Sequence, residues 1–584
     1  TCLTPSSGRL PILLRFDRIL AALACLAFGV WLAATVPVSL AMGWDESMHV
    51  MLPAARLVEA LRAGEIGLAV GALLDCAQYP PAWPAVLALV ELPGGVSEGL
   101  ARAVTSLAWA AALLVVGLLA RRAARASGRT DPRIAAWSAM ILGALCPLAA
   151  SFAGTLFLEV PSALATAFAL WAWTRRADRP HLKRELVAGL AVTLALFTKW
   201  NYGLLLGAAL ALDWACEAIA AQRAGRAREL FARTRWLVAI PLLASAWWFV
   251  LPLPGGFDQA REHREAFLGF LAGNLIEVPT PAAERVLYVA TGIAPMVVLA
   301  ILVLVLGGVA LRCARTPAVR VLVLAAAMLL GAPLAHPFFL DRFLIPGLVP
   351  LFALAGLGFE VATSRARIAR YASVVAVAAV VTVAALAALT AGRDGPWLAD
   401  RLGLLPAAEP GRGYVTQVLR DRVTLGSDRR LPSGGLERAE HDALLDLVAA
   451  EVRPGERVGW IGMSSEMSPA ALHLGLRTRG RDPSWFLERA PDDLDLAYFG
   501  ATDDSDDPGT DDSELLAFAG RFDVIVWTDP IDLRERRERA FAARSRDRLL
   551  AIRPSAVREL GIVAITRPLR GPLAVRLFSC RNRP

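Results

Sequence analysis

Trp44-Asp45-Glu46-Ser47-Met48-His49 follows the first long apolar run of the chain, residues 18–40, and puts two acids and a histidine just past its end. The charges flanking that run on its other side are Arg9, Arg15, Asp17 and Arg18. An apolar run of about 20 residues is long enough to cross a bilayer. Ionisable groups at its boundary carry a solvation penalty and mark a functional site. Runs of the same kind recur at 98–120, 134–150, 158–174, 186–198, 201–218, 236–253, 287–311, 318–335, 343–361 and 371–391. With the first they predict a polytopic α-helical membrane protein of about eleven transmembrane helices. The pair 186–198 and 201–218 is short and meets at Lys199. The stretch 80–93 carries Pro80, Pro81, Pro84 and Pro93 and reads as a re-entrant or interfacial segment rather than a further span. A hydrophobic fraction of 56% over 584 residues and a mean hydropathy of +0.49 exclude an ordinary soluble protein.

Orientation follows from where the short loops carry their Lys and Arg. The N-terminal flank and every second connection (121–133, 175–184, 223–235, 312–320 and 365–370) hold most of the basic residues of the membrane region. The opposite side carries Arg56, Arg62, Arg102, Lys199, Arg261, Arg264, Arg285 and Arg342. The bias places the N-terminus in the cytoplasm and the Asp45-Glu46 pair outside it, in a periplasm-like space bounded by the inner (plasma) membrane. An apolar region longer than a secretory signal reads as an uncleaved anchor. The isoelectric point near 9.4 invites a nucleic-acid reading. The excess basic charge lies in those connections, so no nucleic-acid partner is expected. The seven cysteines show neither zinc spacing nor a disulfide framework.

Residues 1–391 thus form a transmembrane domain with a first external loop at 41–97 and a second at 254–286. In the first loop, 51–74 reads as one amphipathic surface helix. Residues 392–584 read as an external soluble α/β domain, with strands at 457–463, 494–499, 522–528, 561–566 and 573–579. Helices are predicted there at 437–451, 469–476, 513–520 and 533–552. The acidic run at 503–512 lacks calcium-loop spacing and reads as solvated loop. No glycine-rich phosphate loop marks a nucleotide site.

Three positions stand out for chemistry. Asp45 and Glu46 suit general-base work on an acceptor hydroxyl or amine, one acting and the other orienting, pairing or helping to hold a metal. The bland alternative is a pair of solvated acids capping the next helix. Of 61 basic residues only Lys183 and Lys199 are lysines. Lys199, between two apolar runs and beside Trp200, Asn201 and Tyr202, suits binding a phosphate as a compact point charge, or else snorkels in an aromatic belt. Arg342 lies in a short external turn with His336 and Asp341, where it can grip a phosphate or simply pair with Asp341. Glu159, at the external start of a span, and Tyr79 with Pro80 and Pro81 are further cavity candidates. His49 and His263 are isolated histidines, usable as metal ligands but more often ordinary polar contacts.

This arrangement resembles the GT-C membrane glycosyltransferases, most of all the protein O-mannosyltransferase and lipid A aminoarabinose transferase group (glycosyltransferase family 39). The resemblance rests on the first span followed by Asp45-Glu46, then Tyr79-Pro80-Pro81, the Leu-Phe-Thr-Lys199 turn, the Arg342 turn and a soluble C-terminal domain. It implies inverting transfer of a sugar from a polyprenyl-phosphate donor to a protein, lipid or polysaccharide acceptor outside the cytoplasm. Asp45 matches the catalytic position, and Lys199 and Arg342 fall where phosphate-contacting residues are expected. Ser47-Met48-His49 after the pair, and the lack of a clear third acidic element, leave a divalent metal ion and the acceptor class open. The rival reading is a transporter or flippase, which calls for polar groups deep within several spans. A transferase using a diphosphate-linked glycan is kept open by Arg261, Arg264 and Arg285.

Overall fold

The computed structural model describes residues 10–35, 42, 46–74, 79–144, 146, 149, 152–176, 181–250, 305–335, 341–365, 438–453, 456, 458–461, 469–479, 522–529, 558–565 and 573–579. It divides into two compact units. The first takes 1–36, 79–254 and 278–429, the second 37–78, 255–277 and 430–584.

Along the chain, α1 (Leu10–Thr35) is followed by α2 (Leu52–Ala63) and α3 (Ile66–Leu74), both of the second unit. The first unit continues with α4 (Ala82–Glu91), α5 (Glu98–Ala126), α6 (Pro132–Ala144), α7 (Glu159–Arg176) and α8 (Leu182–Thr198). It ends in α9 (Trp200–Arg223), α10 (Ala227–Val250), α11 (Pro317–Ala335) and α12 (Ile345–Arg365). Helices therefore stand at nine of the apolar runs named above. The run 371–391 and most of 287–311 lie outside the described residues. Among the described residues four helices are long and apolar enough to cross a membrane, namely Glu98–Ala126, Trp200–Arg223, Pro317–Ala335 and Arg342–Thr363.

α5 is the hub. The Ser97 hydroxyl accepts the Leu100 N–H at 3.3 Å and starts the helix, with Glu98 in its first turn and Arg125 in its last to complement the helix dipole. Trp109, Leu113, Val116 and Ala120 are buried among α1, α6, α7 and α12. α12 is apolar all round and buried all round, as Leu348, Phe352 and Leu357 show. Gly356 lets it approach α6 so closely that any Cβ there would strike the Ala135 carbonyl. α9 instead exposes Leu204, Leu212 and Ile219, the face an apolar solvent would cover.

The basic residues behind the charge bias are partly tied into acids that hydropathy does not reveal. Asp17 accepts Arg121 and the Trp137 indole, each at 3.1 Å, joining α1, α5 and α6. Arg176 grips Glu217 through two hydrogen bonds of 3.0 Å, and Arg320 lies 2.7 Å from Asp213.

In the second unit the sequence expectation of one helix over 51–74 needs correction. Gly64, at φ 73°, ends α2 in the left-handed region that glycine adopts without strain, so α2 and α3 are separate helices. α2 buries Leu52, Ala55, Leu57 and Val58, whereas α3 exposes Ile66, Leu68 and Val70. Ahead of α2, Ser47–Met51 form a π-helical turn in which the Leu52 N–H donates to the Ser47 carbonyl. Pro53 has no N–H to offer the carbonyl four residues back, and the widened turn accommodates that loss.

The rest of the unit contains α13 (Arg438–Glu451), β1 (Val458–Ile461), α14 (Pro469–Thr478), β2 (Val524–Asp529), β3 (Arg558–Ile565) and β4 (Leu573–Ser579). The sheet runs β1-β2-β4-β3, with β1 parallel to β2 (Val458 opposite Val524) and the other pairs antiparallel. A parallel pair needs a crossover, and the 62-residue span between Ile461 and Val524 contains α14. Leu444, Leu445 and Val448 of α13 pack with Leu472 and Leu476 of α14 onto Val524, Val526 and Leu577. The strands expected at 457–463, 522–528, 561–566 and 573–579 are thus found within a residue or a few of their reading; 494–499, 513–520 and 533–552 lie outside the described residues.

Candidate functional site

The site begins with a break between two helices. Lys199 has extended backbone, φ −157° and ψ 109°, between α8 and α9. Its N–H still donates to the Ala195 carbonyl, closing α8, and its own carbonyl accepts the Gly203 N–H at 3.1 Å, opening α9. One residue therefore leaves the helical path without exposing an unpaired backbone group. The return is tight, since any side chain at Gly203 would collide with the Leu196 backbone.

The Lys199 side chain is 5% exposed and its ammonium meets Glu159, with Nζ 2.8 Å from Oε1. Glu159 is the first residue of α7, where the helix dipole favours a carboxylate, and Pro161 two residues on suits the first turn. The connection leading into it is pinned to α5. Arg102 donates to the Gly154 carbonyl at 3.0 Å, and the Ser106 hydroxyl donates to the Ala153 carbonyl at 3.1 Å. The same Oε1 of Glu159 lies 3.4 Å from Arg342 Nε. Arg342 belongs to the short 3-10 turn Asp341–Leu344 that leads into α12. One carboxylate, 1% exposed, is shared by two cations.

Aromatic rings wall the cluster. Lys199 Nζ is 4.9 Å from the Tyr79 ring centroid, 5.3 Å from that of Tyr202 and 5.5 Å from that of Phe343. The Arg342 guanidinium lies 4.2 Å over Phe157 and 5.8 Å from Phe343. Ring faces attract cations, and more strongly where water is excluded. The Glu159 Oε2 and Tyr202 hydroxyl oxygens are both buried within the cluster.

Lys199 and Arg342 thus share one buried carboxylate in a ring-lined place. A compact ammonium and a forked guanidinium held side by side suit contact with a phosphate group. Donors fixed in a low-dielectric site stabilise negative charge that develops during a reaction without reorganising.

The structure thus brings together Tyr79, Glu159, Lys199, Tyr202 and Arg342 of the residues singled out in the sequence. Trp200 and Asn201 occupy the first turn of α9, half-buried, and the Asn201 side chain accepts the Tyr202 N–H at 2.9 Å. Glu46, 2% exposed, immediately precedes the π-helical turn of the second unit, and His49 lies within that turn. Asp341 opens the 3-10 turn before α12; Asp45, His263 and His336 lie outside the described residues. Phe157 and Phe343 were missed, because aromatic residues in apolar runs read as core. Glu159 ranked below the lysine and arginine in the sequence, yet it is the group that joins them. Among the described residues no three acidic, imidazole or thiol side chains converge as a metal site would require, and Glu159 is already engaged by two cations.

No family model matches the sequence, and no curated protein matches it. Among the solved structures that match the fold, two cover nearly the whole of both chains. ArnT from Cupriavidus metallidurans bound to undecaprenyl phosphate superposes with a TM-score of 0.54 at 16% identity, over 95% of this chain and 97% of that one. The same protein in the apo state gives 0.56 at 15% identity, over the same shares. The chain thus shares the fold of these ArnT structures, a GT-C-like fold.

Proposed function

We propose that the chain is an integral membrane glycosyltransferase that moves a sugar from a polyprenyl-phosphate donor to an acceptor on the external face of the inner membrane. The observation that carries this reading is the buried cluster in which Lys199 and Arg342 meet at the Glu159 carboxylate. In this reading the donor phosphate docks on Lys199 and Arg342, while Tyr79, Phe157, Tyr202 and Phe343 keep water out. A solved structure of the same fold with undecaprenyl phosphate bound supports a lipid phosphate as the ligand.

Asp45 takes the proton from an acceptor hydroxyl or amine as the acceptor attacks the anomeric carbon. The bond from that carbon to the phosphate oxygen breaks on the opposite face, and the oxygen leaves with the electron pair. Lys199 and Arg342 hold the charge that appears on it. Configuration inverts in this single displacement, and no covalent enzyme intermediate forms. Glu46 orients the base or the acceptor, and the acceptor is a protein, a lipid or a polysaccharide. The N-terminus faces the cytoplasm and the C-terminal region the exterior, following the Lys/Arg bias.

Transfer of radiolabelled sugar from polyprenyl-phosphate donors to membrane extracts, compared between the native chain and Asp45→Asn, tests the reading. Loss of transfer with lipid-phosphate binding retained is the expected result. Transfer unchanged by the substitution removes Asp45 from the mechanism. Movement of substrate across vesicles without any transfer hands the chain to the transporter reading.

A further inference from the structure

The second unit builds the first loop and the C-terminal region into one body. α14 carries two stripes of different character. Leu472 and Leu476, one turn apart, enter the core with α13 and the sheet. His473 and Arg477, also one turn apart, share the neighbouring stripe. Arg477 reaches α2, where its Nη1 lies 2.6 Å and 2.7 Å from the two carboxylate oxygens of Glu59. His473 is 1% exposed, and α14 packs against the π-helical turn Ser47–Met51.

That turn is short and carries an irregular hydrogen-bond pattern, so its own backbone bonding holds its shape weakly. Its Ser47, Val50 and Met51 are buried. Glu46 stands immediately before it and Asp45 one residue earlier. Whatever fixes the turn fixes the direction in which the chain presents Glu46.

We propose that α14 is a positioning element for transfer. It clamps the π-helical turn, and Arg477 is a positioning residue that acts through Glu59. The C-terminal region then governs turnover at the first-loop acids and leaves the hold on the donor phosphate untouched. The role assigned to the acids rests on the glycosyltransferase reading, whereas the clamp itself does not.

The pair is partly exposed, so deleting one partner changes little. Reversal is the sharper probe, because it sets like charges against each other. Full-length protein in nanodiscs is prepared as native, Arg477→Glu, Glu59→Arg and the double reversal. Amide hydrogen exchange over 46–52 and transfer kinetics with a polyprenyl-phosphate sugar are measured on all four. Each single reversal is expected to speed exchange over 46–52 and to lower kcat roughly three- to tenfold with the donor KM unchanged. The double reversal, which restores an ion pair, is expected to return both to within about twofold of native. Unchanged exchange in the single variants overturns the clamp. Faster exchange with unchanged kcat overturns the positioning role while native transfer keeps the glycosyltransferase reading. If the native chain transfers no sugar, that reading fails, and exchange alone decides whether α14 holds the turn.

Discussion

Replacing Lys199 with methionine keeps an unbranched side chain, one atom shorter, and removes its charge. The ammonium is 2.8 Å from Glu159, and Arg342 sits 3.4 Å from the same oxygen. After Lys199→Met the carboxylate therefore still faces one cation, and no charge is stranded. The cluster loses one positive charge, which weakens its attraction for an anion. A hydrogen bond to a charged group contributes about 1.5–3 kcal/mol. A loss of that size weakens phosphate binding roughly 10- to 150-fold. Glu159→Gln is the contrasting variant. It leaves two buried cations without their carboxylate, which costs about 3–5 kcal/mol of stability, while the positive potential for a phosphate rises. Binding of polyprenyl phosphate to detergent-solubilised protein, followed by native mass spectrometry beside thermal melting, separates the two effects. Lys199→Met should melt near the native temperature and bind weakly; Glu159→Gln should melt lower and, where folded, still bind. A folded Lys199→Met protein that binds polyprenyl phosphate as tightly as native refutes the assignment of the cluster to the donor.

Gly203→Ala should lower both melting temperature and transfer, since the new methyl must push the Leu196 backbone and reshape the Lys199 break, an overpacking penalty of about 1–3 kcal/mol; an unchanged melt contradicts the close approach. Leu472→Ala should destabilise the second unit by about 2–5 kcal/mol through a cavity beneath the sheet, read as increased protease cleavage within 438–579, and unchanged cleavage argues against that core. Glu91 ends α4, a helix of 10 residues, and is fully buried. Burial raises its pKa, partly offset by the Ser97 N–H that donates to it at 3.0 Å. The fold thus favours the protonated acid, and this contribution is present below the ordinary glutamate range and lost as pH rises through the raised value. Glu91→Gln should flatten the fall in melting temperature with pH above about 4.5; an identical slope in both proteins removes Glu91 as its source.

Much of the helical framework is legible in the chain because hydropathy is a local sum. A run such as 98–120 or 318–335 declares its helix without reference to any other part of the molecule. The break at Lys199 is legible for the same reason, as two short runs interrupted by the one lysine among apolar neighbours. The strand at 573–579 is read from its own short apolar, β-rich run. The split at Gly64 was missed because apolar residues continue on both sides of it, and only the left-handed backbone at that glycine shows that the helix stops.

The candidate site was legible as residue types and illegible as an assembly. Lys199 and Arg342 were singled out because charges beside apolar runs are costly, a property each position shows alone. That Glu159 joins them, from 40 residues before the lysine, depends on α7 starting where Arg102 and Ser106 pin its lead-in to α5. Phe157 and Phe343 become walls of the cluster through the same placement. The sequence by itself determined a membrane-embedded helical protein with charged groups at the ends of its spans, because the solvent preference of a segment is carried by that segment. Only the tertiary structure decided which of those groups share one buried carboxylate, and which helix of the C-terminal region packs on the first-loop turn. Contacts between distant residues depend on how close the helices approach one another, and neither composition nor periodicity encodes that distance.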